Sequence, residues 1–370
     1  MAATPLLDAT PLASAHAVRG IGAALGGLLE GFRSLDVDDR PALLLTADQE
    51  APAGFRHTRI RWPRWPLGRL RLPDPWPALV GERRVRRGAG TTVVHATQPT
   101  LVPDGPVVAN CYDLIPACFP GEYLGGPGRA AIAAEYRRQL RRLAQADVVV
   151  VNARETADDL AHHTDVPPDR VRLVPLAAPA AATPEGPAAE GPYLLYGGSL
   201  EPHKNLPVLI DAIALARRDD PRLRLVLTGP WSPRRLARLQ ARADHAGAAE
   251  GVDWLGHVGA GRLAALRAGA LAVAVPSRKE GFGLPVLEAM AAGVPVLASD
   301  TPALREVAGG AARHLPVDGP GAWAGAMVAL ASDETARAEH IRRGRLRAAE
   351  FSWERTARAM RDIYAEVAGR

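Results

Sequence analysis

Two carboxylates, Glu280 and Glu288, bracket the run Gly281-Phe-Gly-Leu-Pro-Val-Leu287, with seven residues between them. The run follows the apolar segment Leu271-Ala-Val-Ala-Val-Pro-Ser277 and leads into a second apolar segment ending at Asp300. The pattern reads as strand, glycine turn, helix, strand. Glycines at 281 and 283 remove side chains where the backbone must turn and approach something closely. Pro285 fits a first helical turn, where its missing N–H leaves nothing unsatisfied, so the helix is expected to start near Leu284. The N–H groups and partial positive charge at that helix end suit a phosphate or other anion. An acidic side chain beside an anion would be repelled, so both glutamates are better suited to accept hydrogen bonds from neutral hydroxyls. A nucleotide sugar carries hydroxyls on both sides of its diphosphate; the alternative is an ordinary turn with a solvated Glu at each end.

A second segment, Tyr193-Leu-Leu-Tyr-Gly-Gly-Ser-Leu-Glu-Pro-His-Lys-Asn-Leu-Pro207, reads as a buried strand, a glycine turn and a helix with apolar positions at Leu206, Leu209, Ile210 and Ile213. Of 45 basic residues only Lys204 and Lys279 are lysine, one in each segment. A chain so biased toward Arg that keeps Lys204 in a motif has use for a compact point charge rather than a planar fork. Lys279 reads as a turn residue.

Taken together, the two segments resemble the retaining glycosyltransferases of the GT-B fold, the large family numbered 4. The resemblance implies that Glu280 contacts the donor sugar, that Glu288 holds the ribose hydroxyls, and that the backbone of Gly281, Phe282, Gly283 and Leu284 holds the sugar and diphosphate. Glu201-Pro-His-Lys-Asn205 resembles the family's Glu-Pro-Arg-Lys-Asn, which gives Lys204 the neutralisation of the diphosphate. Relatives often carry Arg where this chain has Gly198-Ser199, and Arg where it has His203. His203 therefore either helps Lys204 and the helix end at the diphosphate or lies on the surface. Val252-Asp-Trp-Leu-Gly-His-Val-Gly259 resembles the strand and loop whose backbone reads the nucleobase, which places that contact at His257 and Val258.

The implied fold is α/β, with two Rossmann-like doubly wound domains facing across a cleft. At 370 residues, 47% hydrophobic and 23% charged, the chain suits two globular domains. Strand candidates Pro41 to Ala47, Thr91 to Ala96, Val107 to Cys111, Val148 to Asn152 and Val171 to Leu176 precede a stretch rich in Ala, Pro and Gly over 178–192, read as a linker. Others follow near Leu194, Leu225, Val252, Val273 and Val296, alternating with helices as doubly wound parallel sheets require. The expected layout is an acceptor-side domain over 1–177, a nucleotide-sugar domain over 193–350, and a final helix over 351–370, capped by Ser352, that crosses back to the first domain.

In the first half, Asp8 to Gly22 resembles the family's opening strand and glycine loop, which assigns Gly20 and Gly22 to the donor. Ala23-Ala24 replaces the family's Arg-Tyr. Tyr112-Asp113 stands where the family usually has His-Asp before Leu-Ile-Pro. Asp113 is then assigned an acceptor-orienting or charge-stabilising role and Tyr112 a sugar contact; the alternative is a packed Tyr112 and an Asp113 that caps a turn.

The stretch from Gly54 to Gly90 holds ten Arg and three Trp (Trp62, Trp65, Trp76) against Asp74 and Glu82. It suits an Arg-rich solvated face, or peripheral contact with anionic lipid or a lipid-linked acceptor; nucleic acid is the weakest reading. The sequence pI near 9.6 adds little, because the net charge is only +5. Cys111 and Cys118 give neither a disulfide framework nor a four-ligand zinc spacing. Asp36 and Asp38 read as surface. With no signal peptide and no long apolar run, the chain is expected in the cytoplasm, possible contact at the inner membrane face aside. No cofactor or metal is expected. The predicted reaction moves a hexosyl group, with a lean to a mannose-like sugar, from a nucleoside diphosphate sugar to a glycan, lipid-linked or small-molecule hydroxyl, with Glu280, Lys204 and Asp113 as the catalytic groups. The rivals are a sugar-nucleotide 2-epimerase of the same fold and a silent nucleotide-sugar-binding partner protein.

Overall fold

The computed structural model describes residues 4–13, 20–60, 83–85, 90–98 and 101–369. The chain divides into two compact units, Met1–Pro179 with Ser352–Arg370, and Ala180–Phe351.

The first unit is built on strands β1 (Thr4–Asp8), β2 (Ala42–Thr46), β3 (His57–Ile60), β4 (Arg83–Val85), β5 (Thr91–Ala96), β6 (Leu101–Pro103), β7 (Val107–Cys111), β8 (Val148–Val151) and β9 (Val171–Leu173). Seven of them form a parallel sheet in the order β3-β2-β1-β5-β7-β8-β9, while β4 and β6 pair separately. The central strands are continuous apolar runs because a parallel sheet covered on both faces has no wet side. All four valines of β8 are buried, as are Leu43, Leu44 and Leu45 of β2. Each such side chain contributes roughly 1.5–3 kcal/mol by leaving water.

The final helix, Trp353–Ala368, is capped by Ser352, whose side chain accepts from the Arg355 amide, and it buries Ala357, Met360, Ile363, Tyr364 and Val367 in this unit. It lies against the helix Gly20–Arg33, and Gly31 makes that approach possible: a Cβ there would stand 2.1 Å from the Trp353 carbonyl oxygen. Gly31→Ala is therefore expected to force the helices apart and cost about 2 kcal/mol, roughly 4–8 °C in thermal unfolding. Gly26 lies on the same helix, exposed and with open space around it. Gly26→Ala is expected to raise stability by roughly 0.5–1 kcal/mol instead. Equal effects of the two substitutions in a melting experiment would contradict this packing.

The second unit carries β10 (Tyr193–Gly197), β11 (Arg224–Thr228), β12 (Val252–Gly256), β13 (Ala272–Val275), β14 (Val296–Ser299) and β15 (Arg313–Leu315). The parallel order is β12-β11-β10-β13-β14-β15. The chain steps outward from β10 to β12, then returns to the other side of β10 with β13. In such sheets the crevice beyond the strand ends at this reversal point is where ligands bind. The ends of β10 and β13 carry the two motif segments.

Candidate functional site

From the end of β10 the chain passes through Gly198 and Ser199 to a single turn, Pro202–Lys204, and then to the helix Leu206–Asp219. The joint is Asn205, whose φ of 52° is the one positive value found among described residues other than glycine. A left-handed Asn is tolerated where surrounding structure holds it. Its side-chain amide does this by donating to the Val317 carbonyl at 2.8 Å. The constraint aims the preceding residue, Lys204, at the end of β13.

There the Lys204 ammonium meets Glu280: Nζ to Oε1 is 2.7 Å. Ser277 Oγ donates to the same oxygen at 2.6 Å, and both Ser277 and Glu280 are buried. Burial alone would raise the Glu280 carboxyl, but the Lys204 charge and the hydrogen bonds from Lys204 and Ser277 outweigh it and hold the group below its ordinary value. Glu280 is thus an anion at neutral pH, with one oxygen fixed by two donors.

Past Glu280 the turn closes at Gly283, whose φ of 104° places it in left-handed space before the helix Leu284–Ala291. A side chain there would also press on Leu304, 2.9 Å from the position of a Cβ. The helix starts at the residue expected, and its first-turn N–H groups form the anion-attracting end. The Phe282 side chain packs edge-on against Phe351, with ring centroids 6.1 Å apart. Any contribution to a donor comes from its backbone. Glu288, one turn into the helix, is gripped by Arg267 at 2.6 Å. Burial dominates that carboxyl and pushes it up, with Arg267 offsetting only part of the shift.

Tyr196 and Gly198 explain the missing arginine of this turn. The Tyr196 hydroxyl donates to the Ser199 carbonyl and would lie 2.8 Å from a Cβ at Gly198, so the phenol occupies the space a side chain at 198 would need. Burial first, then the charges of Glu280 and Glu201, raise the Tyr196 hydroxyl well above its ordinary value, so it stays protonated. Trp231 Nε1 closes the other side of the turn on the Gly198 carbonyl at 3.0 Å. Beyond β12, His257 is exposed and Val258 half-buried, after a Gly256 whose carbonyl accepts from the Gly229 amide at 2.9 Å.

His203 is buried, which rules out the surface reading, and burial followed by the Lys204 charge lowers its pKa from 6.5 to about 3. It is neutral at pH 7, so the positive charge at the turn is carried by Lys204, and the expected charge assistance from His203 is corrected accordingly.

In the first unit, Tyr112 is half-buried, and burial followed by the Asp8 charge raises its hydroxyl above the ordinary value. Asp113 is exposed, and its Oδ1 accepts from the Ile115 amide at 3.1 Å, a turn cap. Asp8 ends β1, buried, with Oδ1 accepting from the Thr10 hydroxyl at 2.6 Å. Gly20 and Gly22, expected in a glycine loop, instead open the helix Gly20–Arg33; residues 14–19 before them lie outside the described residues. Of the basic, Trp-rich stretch, residues 61–82 and 86–89, with all three tryptophans, also lie outside them. Asp36 and Asp38 are exposed at a short turn before β2, as read from the sequence.

Residues 38–179 match the family described as Glycosyltransferase Family 4, and residues 181–347 match Glycosyl transferases group 1. The chain belongs to the GT-B glycosyltransferases of the family 4 type. Among solved structures it is similar to sucrose-phosphate synthase from Thermosynechococcus elongatus, at a TM-score of 0.72 and 19% identity over 98% of this chain and 99% of that one. Anabaena Alr3699/HepE, in complex with UDP and glucose, gives a TM-score of 0.70 at 16% identity over 98% and 100%. At such identities the likeness concerns the fold. In sequence, the chain is 32% identical over 248 residues to the D-inositol 3-phosphate glycosyltransferase of Xylanimonas cellulosilytica, covering 62% of this chain and 59% of the relative. The corresponding protein of Jonesia denitrificans is 36% identical over 187 residues, 48% of this chain and 44% of the relative. The chain thus spans about half the length of the curated relatives it matches. Among the described residues, no helix is long and apolar enough to cross a membrane.

Reading the sequence alone passed over Ser277, Asn205, Tyr196 and Arg267. Ser277 was the most accessible, three residues before Glu280 at the end of an apolar run. Asn205 and Arg267 act through partners 112 and 21 residues away, which no local pattern reveals.

The buried histidines give the protein a defined acid response. His95, bonded through Nδ1 to the Tyr364 hydroxyl at 2.7 Å, is lowered from 6.5 to about 4, mainly by burial. Below pH 6.5 the unfolded chain binds a proton at His95 and His203 that the folded chain refuses until about pH 4 and 3. Unfolding then takes up protons, so this stability is complete above pH 6.5 and is lost as pH falls. At pH 5 each histidine is expected to cost about 2 kcal/mol relative to pH 7. Urea titrations at the two pH values check this, with His203→Gln expected to flatten the response of the second unit.

Proposed function

We propose that the protein is a retaining glycosyltransferase that moves a hexosyl group from a nucleoside diphosphate sugar to a hydroxyl acceptor. The observation that carries this reading is the cluster of Lys204, Glu280 and Ser277 at the reversal point between β10 and β13, next to the helix that begins at Leu284.

The difficult part of the reaction is the charge that builds on the departing diphosphate. Preorganised positive groups aimed at developing charge are the largest single contribution in such sites. Lys204 supplies a full charge and the helix end a partial one, with no reorganisation needed at the moment of bond breaking. Glu280, its Oε1 held by two donors, keeps its other oxygen to accept hydrogen bonds from sugar hydroxyls. It positions the sugar rather than attacking it, and the acceptor hydroxyl enters on the face the diphosphate leaves, which retains the anomeric configuration. Glu288 is assigned the ribose hydroxyls, which requires Arg267 to share its carboxylate. The backbone at His257 and Val258 reads the base. Asp113 and Tyr112 are assigned the acceptor side, Asp113 being exposed and therefore accessible. Divalent metal has no assigned role in the transfer.

The sequence leans to a mannose-like hexose. Relatives named as D-inositol 3-phosphate glycosyltransferases and a neighbour bound to UDP and glucose support a wider donor panel that includes UDP sugars, and a polyol or phosphorylated polyol among the acceptors. The test is release of nucleoside diphosphate from a panel of UDP, GDP, dTDP and ADP sugars, alone and with candidate acceptors, in the presence of EDTA. Anomeric analysis of the product separates retention from inversion. Appearance of an epimerised nucleotide sugar in place of nucleoside diphosphate would favour the 2-epimerase.

A further inference from the structure

We propose that Cys118, Asp159 and His163 form a binding site for a zinc-class divalent cation in the first unit. Asp159 and His163 are four residues apart on the helix Arg154–His163, so their side chains share one face. Cys118 ends the short helix Ile115–Cys118 that follows β7. One ligand atom from each residue lies within 4.8 Å of those of the other two. Cys118 Sγ and His163 Nε2 are 3.7 Å apart. A tetrahedral zinc with bonds of about 2.0–2.3 Å places its ligand atoms about 3.5 Å from one another, so the three need only a small inward adjustment.

The donor set selects the ion. A thiolate with an imidazole and a carboxylate favours zinc or cobalt over magnesium or calcium, which prefer all-oxygen sites. Three protein ligands leave a fourth position, and a polar group lies near. The Tyr136 hydroxyl is buried with no well-formed hydrogen bond among the described residues and lies against the backbone of Ala117, next to Cys118. A water on the cation is a natural partner for it. Binding displaces the Cys118 thiol proton to solvent and uses neutral His163, so affinity falls in acid.

The site shares no residue with the donor cluster, and its consequence is positional. It ties the helix after β7, whose start is capped by Asp113, to the helix after β8. A cation there would steady the turn that carries Tyr112 and Asp113. The reading stands whether or not the transferase assignment holds.

The test uses the full chain, stripped with chelator under a non-thiol reductant and titrated with Co2+. The expected result is a thiolate-to-cobalt charge-transfer band that saturates at about one equivalent and is displaced by Zn2+. Cys118→Ser is expected to abolish the band and His163→Gln to weaken binding at least tenfold, while Cys111→Ala retains it. Zn2+ is expected to raise the melting temperature of the wild type and not that of His163→Gln, which keeps a folded reference. Absence of the band in the wild type, or a band indifferent to both substitutions, would overturn the proposal and leave a hydrogen-bonded side-chain cluster.

Discussion

Lys204→Ala is expected to lower donor turnover by about 10²–10³-fold, the usual cost of removing one preorganised group that stabilises developing charge. The substitution also strands Glu280, buried with its ion partner gone, so the carboxyl is expected to rise and to be partly protonated near neutral pH. Breaking a fully buried pair costs about 3–5 kcal/mol; Lys204 is 20% exposed, so a smaller loss, roughly 2 kcal/mol, is expected. Lys204→Arg separates charge from shape. The guanidinium keeps the charge but presents a planar fork where Ser277 and Lys204 now share one carboxylate oxygen. It is expected to recover a large part of the stability and only part of the turnover. Steady-state release of nucleoside diphosphate, with melting temperature measured alongside, checks both. Turnover within about twofold of wild type in Lys204→Ala would remove Lys204 from the mechanism.

Glu280 carries the second large effect, and its two substitutions distinguish how it acts. Glu280→Ala removes every sugar contact of the side chain and is expected to reduce turnover by at least about 10³-fold. Glu280→Gln keeps an oxygen for the Ser277 hydroxyl and some hydrogen-bonding capacity toward sugar hydroxyls. If the residue positions the sugar, Gln is expected to retain roughly tenfold more activity than Ala; if it attacks the anomeric carbon, the two are equally dead. Binding of nucleoside diphosphate is expected to move the other way. Lys204, no longer neutralised by Glu280, presents its full charge, so affinity for the diphosphate is expected to hold or increase several-fold while turnover collapses. Calorimetric titration with nucleoside diphosphate reads this directly. Because the two residues touch, the double substitution is expected to cost much less than the product of the singles.

Much of this arrangement was legible in the chain. The valines of β8 and leucines of β2 announce buried parallel strands because neither face of such a strand is wet. Gly283, Pro285 and the following apolar run place a helix start at Leu284, where it is found. Edge strands were harder. His57–Ile60 is exposed along three of its four residues and β15 is only Arg313–Leu315, so neither carries an apolar run, and their pairing is decided by neighbours far along the chain. β9 stops at Leu173, short of the expected Leu176.

The site divides in the same way. Residue types and spacing singled out Glu280 and the helix start, and the scarcity of lysine with the family resemblance singled out Lys204, but nothing showed the contact between Glu280 and Lys204, which spans 76 residues. Asn205 was visible as a letter in a motif while its left-handed backbone was not, since the bond to Val317 that holds it is tertiary. His203 was misjudged as a surface or charge-assisting group because nothing local shows that it is buried beside a lysine. The resemblance to the family's glycine loop put Gly20 and Gly22 in a loop, yet the helix Gly20–Arg33 absorbs them.

The central claim is nucleotide-sugar turnover at the Lys204–Glu280 cluster. Its most direct test is nucleoside diphosphate release by the purified full chain across UDP, GDP, dTDP and ADP sugars in EDTA, with Glu280→Ala in parallel. The account predicts that at least one donor is turned over by the wild type and not by the variant. Turnover that is the same in Glu280→Ala would contradict it, as would a wild type that neither turns over any donor nor binds any nucleoside diphosphate.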